Sequence, residues 1–322
     1  MKIAIVGAGA MGSVYAALMG DAGYEVWAID SWADHIAAIK ANGLRVEGAS
    51  GDRTVRVNAT TNAGDVGPCD LVVIATKAMH IEAAAASARA LIGANTALLT
   101  IQNGLGSADR VADALAGTPV MIGVAGGFGA SMKGPGHAHH NGMELIRLGN
   151  RAGAITPALT EVAEVWAQAG FKVRTFDDIA QLVWEKLICN VCFSASTALT
   201  EWTISQVMAD EDTWRMASGC ASEAYAVARA KNITLDFDDP VAYARDFGSK
   251  IPNAYSSLAL DLMAGRASEI DAINGAIPPA GREVGIAAPY NETLSALVRA
   301  KEQSSAFATL EQDCWWEDGR ST

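Results

Sequence analysis

Residues 2–12 read KIAIVGAGAMG. A continuous apolar run ends at a glycine-rich turn, and an Ala-rich stretch with helical spacing comes next at 11–22. Gly7, Gly9 and Gly12 therefore lie between a strand and a helix. There the middle glycine lets the backbone approach a pyrophosphate, and the helix start offers unpaired N–H groups and a positive dipole end. This assigns residues 7–12 (Gly7, Ala8, Gly9, Ala10, Met11 and Gly12) to a dinucleotide. The same letters also serve as a plain turn, so the choice rests on the second strand and its final residue.

The next apolar run, YEVWAID at 24–30, ends in Asp30, 18 residues beyond Gly12. A carboxylate at that place accepts hydrogen bonds from both hydroxyls of an adenosine ribose, each worth roughly 1.5–3 kcal/mol. A 2′-phosphate would set a second negative charge against it. Ser31, Trp32, Ala33 and Asp34 come after it, with no Lys or Arg to receive that phosphate. The pattern predicts NAD(H) in preference to NADP(H). The alternative use of Asp30 is to cap the following helix.

Further strand-like runs appear at 70–76, 97–103 and 119–124, with helical stretches at 32–42, 80–92 and 107–116. Apolar strands separated by helices predict a parallel sheet covered on both faces. TVRVNAT (54–60) reads as a shorter inserted strand, and 143–149 and 171–176 as strands closing one edge, with a helix at 157–169 between them. From about 178 the chain reads as helix, first through DDIAQLVWEKLICNVCFSASTALT (177–200) and then at 205–231, 239–247, 254–264, 268–275 and 291–308. The fold class is therefore α/β, a Rossmann-type parallel sheet over 1–177 followed by an all-helical domain over 178–322.

Bulk properties narrow the function. A net charge of −12 disfavours nucleic acid and anionic membrane surfaces. No uninterrupted apolar run spans a bilayer. Five cysteines (Cys69, Cys189, Cys192, Cys220 and Cys314), odd in number and sparsely spaced, fit reduced thiols in the cytoplasm. CNVC (189–192) has metal-like spacing but no matching second pair, and alternation sends His139 and His140 to opposite faces of a strand. No metal is expected. Trp202, Trp214, Trp315 and Trp316 are candidates for covering an interface in a homodimer.

A nicotinamide cofactor moves a hydride, so a ketone accepting it needs a proton donor at its oxygen. Lys186, in WEKLICN, has Asn190 four residues on along one helical face, which suits a cleft between the domains. The plain alternative is a surface lysine. Ser268 with Asp271 reads as a capping box, placing Glu269 in the first turn of a new helix, where it would simply complement the dipole. Lys77 and Asn103 each come after a strand, at the end where α/β sheets bind ligands.

These segments together resemble the ketopantoate reductases and related D-2-hydroxyacid dehydrogenases. GAGAMG, TKA, QNGLG, GPGHAHHNG, WEKLICN, SSLALDLMAGRASEIDAING and PYN occur in the family's order and spacing. The resemblance implies that Lys186 is the general acid of ketone reduction. It implies that Glu269 contacts substrate and cofactor and sets the lysine's state, and that Asn103 and Lys77 stand at the nicotinamide and substrate end. Asn190 and Ser257 would bind substrate, Ser257 near its carboxylate. Three positions depart from the family. Asp30, Ser31 and Trp32 stand where an arginine usually receives the NADPH phosphate. Ser194 replaces a second asparagine. Ala254 replaces a third, with Asn253 displaced by one residue. A site lacking those amides loses selectivity for a distal hydroxyl, which weighs against ketopantoate. The expected activity is reduction of a small 2-oxo acid by NADH. The alternatives are a true NADPH-dependent 2-dehydropantoate 2-reductase and a non-catalytic dinucleotide sensor.

Overall fold

The computed structural model describes residues 1–127, 129–142 and 144–307. Trp315, Trp316 and Cys314 lie outside the described residues. The chain divides into two compact units, Met1–Val183 and Trp184–Thr322.

The first unit runs β1 (Lys2–Val6), α1 (Ala10–Asp21), β2 (Glu25–Ile29), α2 (Ala33–Asn42), β3 (Leu44–Gly48), β4 (Arg53–Val55), β5 (Asn58–Thr60), β6 (Leu71–Ile74), α3 (Ile81–Ala88), β7 (Ala97–Thr100), α4 (Ser107–Ala114), β8 (Val120–Gly126), β9 (Gly129–Gly134), β10 (His137–Gly142), β11 (Leu145–Asn150), α5 (Pro157–Gln168) and β12 (Lys172–Thr175). Its main sheet has the order β12-β11-β8-β7-β6-β1-β2-β5. All neighbours pair in parallel except β8 with β11.

Alternation along each strand explains the continuous apolar runs. Ile3 and Ile5 of β1, with Leu71 and Val73 of β6, join one core with α1 and α5; Tyr15, Trp166 and Phe171 form its aromatic heart. Ala4, Val6, Val72 and Ile74 point the other way, into a second core with α3 and α4. A strand buried on both faces has no polar face to show.

The stretch 54–60 is not one strand. It breaks into β4 and β5, which belong to different sheets. A second sheet of order β4-β3-β10-β9 packs over α1. Within β10 the alternation holds: His140 is fully buried, while His137 and His139 share the outer face and flank Glu47 on β3.

The helical part comprises α6 (Ile179–Thr200), α7 (Ile204–Ala209), α8 (Glu211–Ala230), α9 (Pro240–Lys250), α10 (Ser257–Met263), α11 (Ile277–Val284) and α12 (Pro289–Phe307). The expected helix at 205–231 is two. Asp210 takes an extended conformation between them and caps α8, its Oδ1 accepting from Thr213 N at 2.8 Å. The expected helix at 268–275 is absent. That segment is turns and a short 3₁₀ stretch, Asn274–Ala276, because the α-helix begins only where Pro278 and Pro279 fit its first turn. Among the described residues α6 alone is long and apolar enough to cross a membrane, but most of it is buried inside the protein. Trp202 is exposed, whereas Trp214 packs against Phe193 and under Arg245.

Candidate active site

Parallel pairing in the order β7-β6-β1-β2 brings four loops to one end of the main sheet. They carry Asn103, Lys77, the glycine turn and Asp30. Chain order reverses between β1 and β6, the place where such sheets bind ligands.

The three glycines differ in what they do. Gly7 has φ +94°, and a Cβ on it would lie 2.5 Å from the backbone nitrogen of Thr76. A Cβ on Gly12 would lie 2.0 Å from the carbonyl oxygen of Gly7. Both close the turn against its own chain. Gly9, the N-cap of α1, is different: its φ is −65°, no side chain caps the helix, and a Cβ there would meet nothing within 4 Å. The helix start is thus uncovered, and its first turn carries no acidic residue. Beside the turn, Thr76 Oγ1 is buried with no partner among the described residues. An open helix start and an unpaired hydroxyl next to it fit a phosphate-bearing ligand. The sequence reading passed over Thr76, although it immediately precedes Lys77 in TKA.

Asp30 is half-buried beyond the end of β2. Its Oδ1 accepts from Trp32 N at 2.9 Å, and Trp32, not Asp30, is the N-cap of α2. Trp32 stacks on His35 with ring centroids 5.1 Å apart. His35, fully buried, was also missed. Gly136 N donates to its Nδ1 at 2.9 Å. Its other nitrogen then carries the proton toward Ser13 Oγ at 3.3 Å, and Ser13 Oγ donates to Ala8 O at 2.8 Å. This chain ties the glycine turn to α2 and the β9–β10 hairpin. Burial holds the His35 pKa below its ordinary value, against smaller opposing effects of the Asp30 charge and of the Ala8 backbone acting on the imidazole itself.

Lys77 precedes a short 3₁₀ turn, Ala78–His80. Asn103 lies in the loop after β7, where Gln102 Nε2 donates to Ile74 O at 2.7 Å and joins the two strand ends.

The second unit holds the other candidates. Between Trp184 and Ala198 every residue of α6 is buried except Lys186 and Asn190, which are half-buried. Four residues apart, they share one face. Ser194, one turn on, is buried, and its carbonyl accepts from Ser256 Oγ at 3.3 Å. Neighbouring Glu185 points elsewhere, accepting from Asp236 N at 3.0 Å. Cys189 and Cys192 are buried; burial pushes the Cys189 thiol up to about 12. Asn253 is exposed, and Ser257 is the exposed first residue of α10, whose cap is Ser256. Glu269 is buried in the turn segment, not in a first helical turn. The expected capping box is replaced: Ser268 N donates to Glu302 Oε1 at 2.8 Å, and Ser268 Oγ accepts from Ile270 N at 3.3 Å.

Residues 3–153 match the family model of ketopantoate reductase PanE/ApbA, and 178–302 match the C-terminal model of the same family. The 2-dehydropantoate 2-reductase of Streptococcus pyogenes serotype M1 is 30% identical over 303 residues, covering 94% of this chain and 98% of that protein. The chain belongs to the ketopantoate reductase family. It is an NAD(P)-dependent oxidoreductase of that family. A crystal structure of a PanE/ApbA family ketopantoate reductase from Ralstonia eutropha JMP134 superposes with TM-score 0.87 at 34% identity, covering 95% of this chain and all of that one. The ternary structure of D-mandelate dehydrogenase with NADH and anilino(oxo)acetate superposes with TM-score 0.88 at 29% identity, covering 95% and 99%. The family thus joins ketopantoate reductases to a hydroxyacid dehydrogenase.

Proposed function

We propose that the protein is an NADH-preferring reductase of a small 2-oxo acid, acting reversibly on the matching 2-hydroxy acid. The observation that carries the reading is the pair of half-buried polar residues, Lys186 and Asn190, on the otherwise buried core of α6. A lysine and an amide kept together inside an apolar helix have a use beyond packing.

The residues proposed to hold the dinucleotide are Gly7–Gly12 at the pyrophosphate, Asp30 at the adenosine ribose, and Lys77 and Asn103 toward the nicotinamide. Bound nicotinamide supplies or accepts the hydride. Lys186 Nζ donates a proton to the ketone oxygen as negative charge builds there. Asn190 orients the substrate, Ser257 meets its carboxylate, and Glu269 sets the charge state of Lys186. In this reading 1–177 is the dinucleotide domain and 178–322 the substrate domain. Ser194, buried, and Asn253, displaced, are weaker candidates for the substrate's far end. The four free, buried cysteines among the described residues fit a reducing cytoplasm.

NADH is favoured because residues 31–34, directly after Asp30, include no Lys or Arg, and the nearby His35 is buried with its neutral form favoured. A second reading, an NADPH-dependent 2-dehydropantoate 2-reductase, is favoured by the Streptococcus relative. Initial rates with NADH and NADPH against a panel of branched, aromatic and hydroxylated 2-oxo acids separate the two. The expected result is a higher kcat/KM with NADH and no preference for the 4-hydroxylated substrate. A strong NADPH preference overturns the Asp30 assignment. Lys186→Ala should bind NADH normally and lose about 10²–10⁴ in kcat. A wild type that binds NADH but reduces no 2-oxo acid identifies a sensor.

A further inference from the structure

Two asparagines, one from SEIDAING and one from PYN, meet in the core of the helical unit. Asn274 and Asn291 are both fully buried. Asn274 Nδ2 donates to Asn291 Oδ1 at 3.0 Å and to Val191 O, on α6, at 2.8 Å. Asn291 Nδ2 donates to Cys220 O, on α8, at 3.0 Å and to Glu223 Oε2 at 2.8 Å. All four amide hydrogens are spent, so neither side chain can rotate without stranding a buried donor.

Both ends of this pair lead to the proposed chemistry. Val191 directly follows Asn190 and lies little more than a turn beyond Lys186. On the other side, Asn274 ends the turn segment that carries Glu269. Ala272 N and Ile273 N both donate to Glu269 O, at 3.0 and 3.1 Å, and Gly275 N donates to Ile270 O at 2.8 Å. This segment has no α-helix to define it. The Asn274 amide ties it to α6 through Val191 O.

We propose that Asn274, locked by Asn291, is a positioning residue that fixes the Glu269 turn against the helix bearing Lys186 and Asn190. It touches no reacting atom. It acts by holding two elements in one register, where a displacement near 1 Å suffices to lower kcat. The inference rests on the proposed roles of Lys186 and Glu269.

The test compares Asn274→Ala and Asn291→Ala with wild type. It measures Tm, NADH affinity by fluorescence titration, and kcat and KM for the best 2-oxo acid, well below Tm. The expected result is NADH affinity unchanged within about twofold and kcat lowered about tenfold or more in both variants, with smaller effects on KM. Asn274→Ser, which keeps a small donor, should recover part of kcat and stands in if Asn274→Ala does not fold. A folded variant with lower Tm but wild-type kcat and KM overturns the proposal and leaves a purely structural pair. Loss of NADH affinity in step with kcat also overturns it, because the defect then spreads through the whole protein. A wild type that binds NADH and reduces no 2-oxo acid removes the proposed function, and this inference with it.

Discussion

At residue scale, the glycine turn separates packing from binding. A methyl group on Gly12 collides with Gly7 O, whereas one on Gly9 meets no protein atom. Gly12→Ala should therefore lower Tm and soluble yield. Gly9→Ala should keep Tm within a degree or two and weaken NADH about tenfold or more, by crowding the phosphate approach. Equal NADH affinity in Gly9→Ala and wild type would remove the pyrophosphate from this turn. His35 makes a second prediction. Its folded pKa lies below its unfolded value, so the unfolded chain takes up a proton first as pH falls. Stability is then full above about pH 6.5 and declines below it, by up to about 1.4 kcal/mol per pH unit for each such histidine. His140 shifts the same way, also chiefly by burial. Urea unfolding at pH 7.5 and 5.5 should show a smaller acid loss in His35→Asn than in wild type; equal losses would refute it. The sequence made the turn at Gly7, Gly9 and Gly12 and the strand end before Asp30 readable because each is set by near neighbours. Ser13 and His35 were illegible because they pair across different elements, and Thr76 because only the folded turn shows its hydroxyl buried without a partner among the described residues.

At element scale, helix ends decide much of the second unit. Glu223 on α8 reaches across to the start of α12, accepting from Tyr290 N at 2.8 Å and Asn291 N at 3.0 Å. It caps a helix on which it does not lie. Glu223→Ala should cost about 1–3 kcal/mol, since it strands buried donors as well as losing a cap. Chemical denaturation measures this; a change under about 0.5 kcal/mol would mean that water replaces the carboxylate. The same scale shows where periodicity misled. Ser268–Asp271 spells a capping box, yet Ser268 turns to Glu302, a partner 34 residues away. The break at Asp210 has a local signal, an acid three residues before Thr213, which continuous apolar spacing masked. The split of 54–60 into two sheets had no local signal, because β5 joins the main sheet beside β2 while β4 pairs with β3.

At the scale of the whole molecule, the glycine turn, Asp30, Lys77 and Asn103 all belong to Met1–Val183. Saturating NADH should protect that unit first. At a hundred times Kd the expected stabilisation is about 2.7 kcal/mol. Hydrogen exchange should show slower exchange around β1, α1 and the loops after β2 and β6. Protection confined to α8 and α12 would contradict the assignment.

The amino-acid sequence by itself determined the alternation of strand and helix, the doubly buried parallel sheet, the glycine turn with its acid, and the family. Each depends on neighbours within a few residues or on motifs kept in order. Tertiary structure alone decided the second sheet, the irregular turn around Glu269, the burial of Ser194 and the meeting of Asn274 with Asn291. Those outcomes depend on which distant backbone groups still need a hydrogen-bond partner once the core has closed, and no local spacing carries that information.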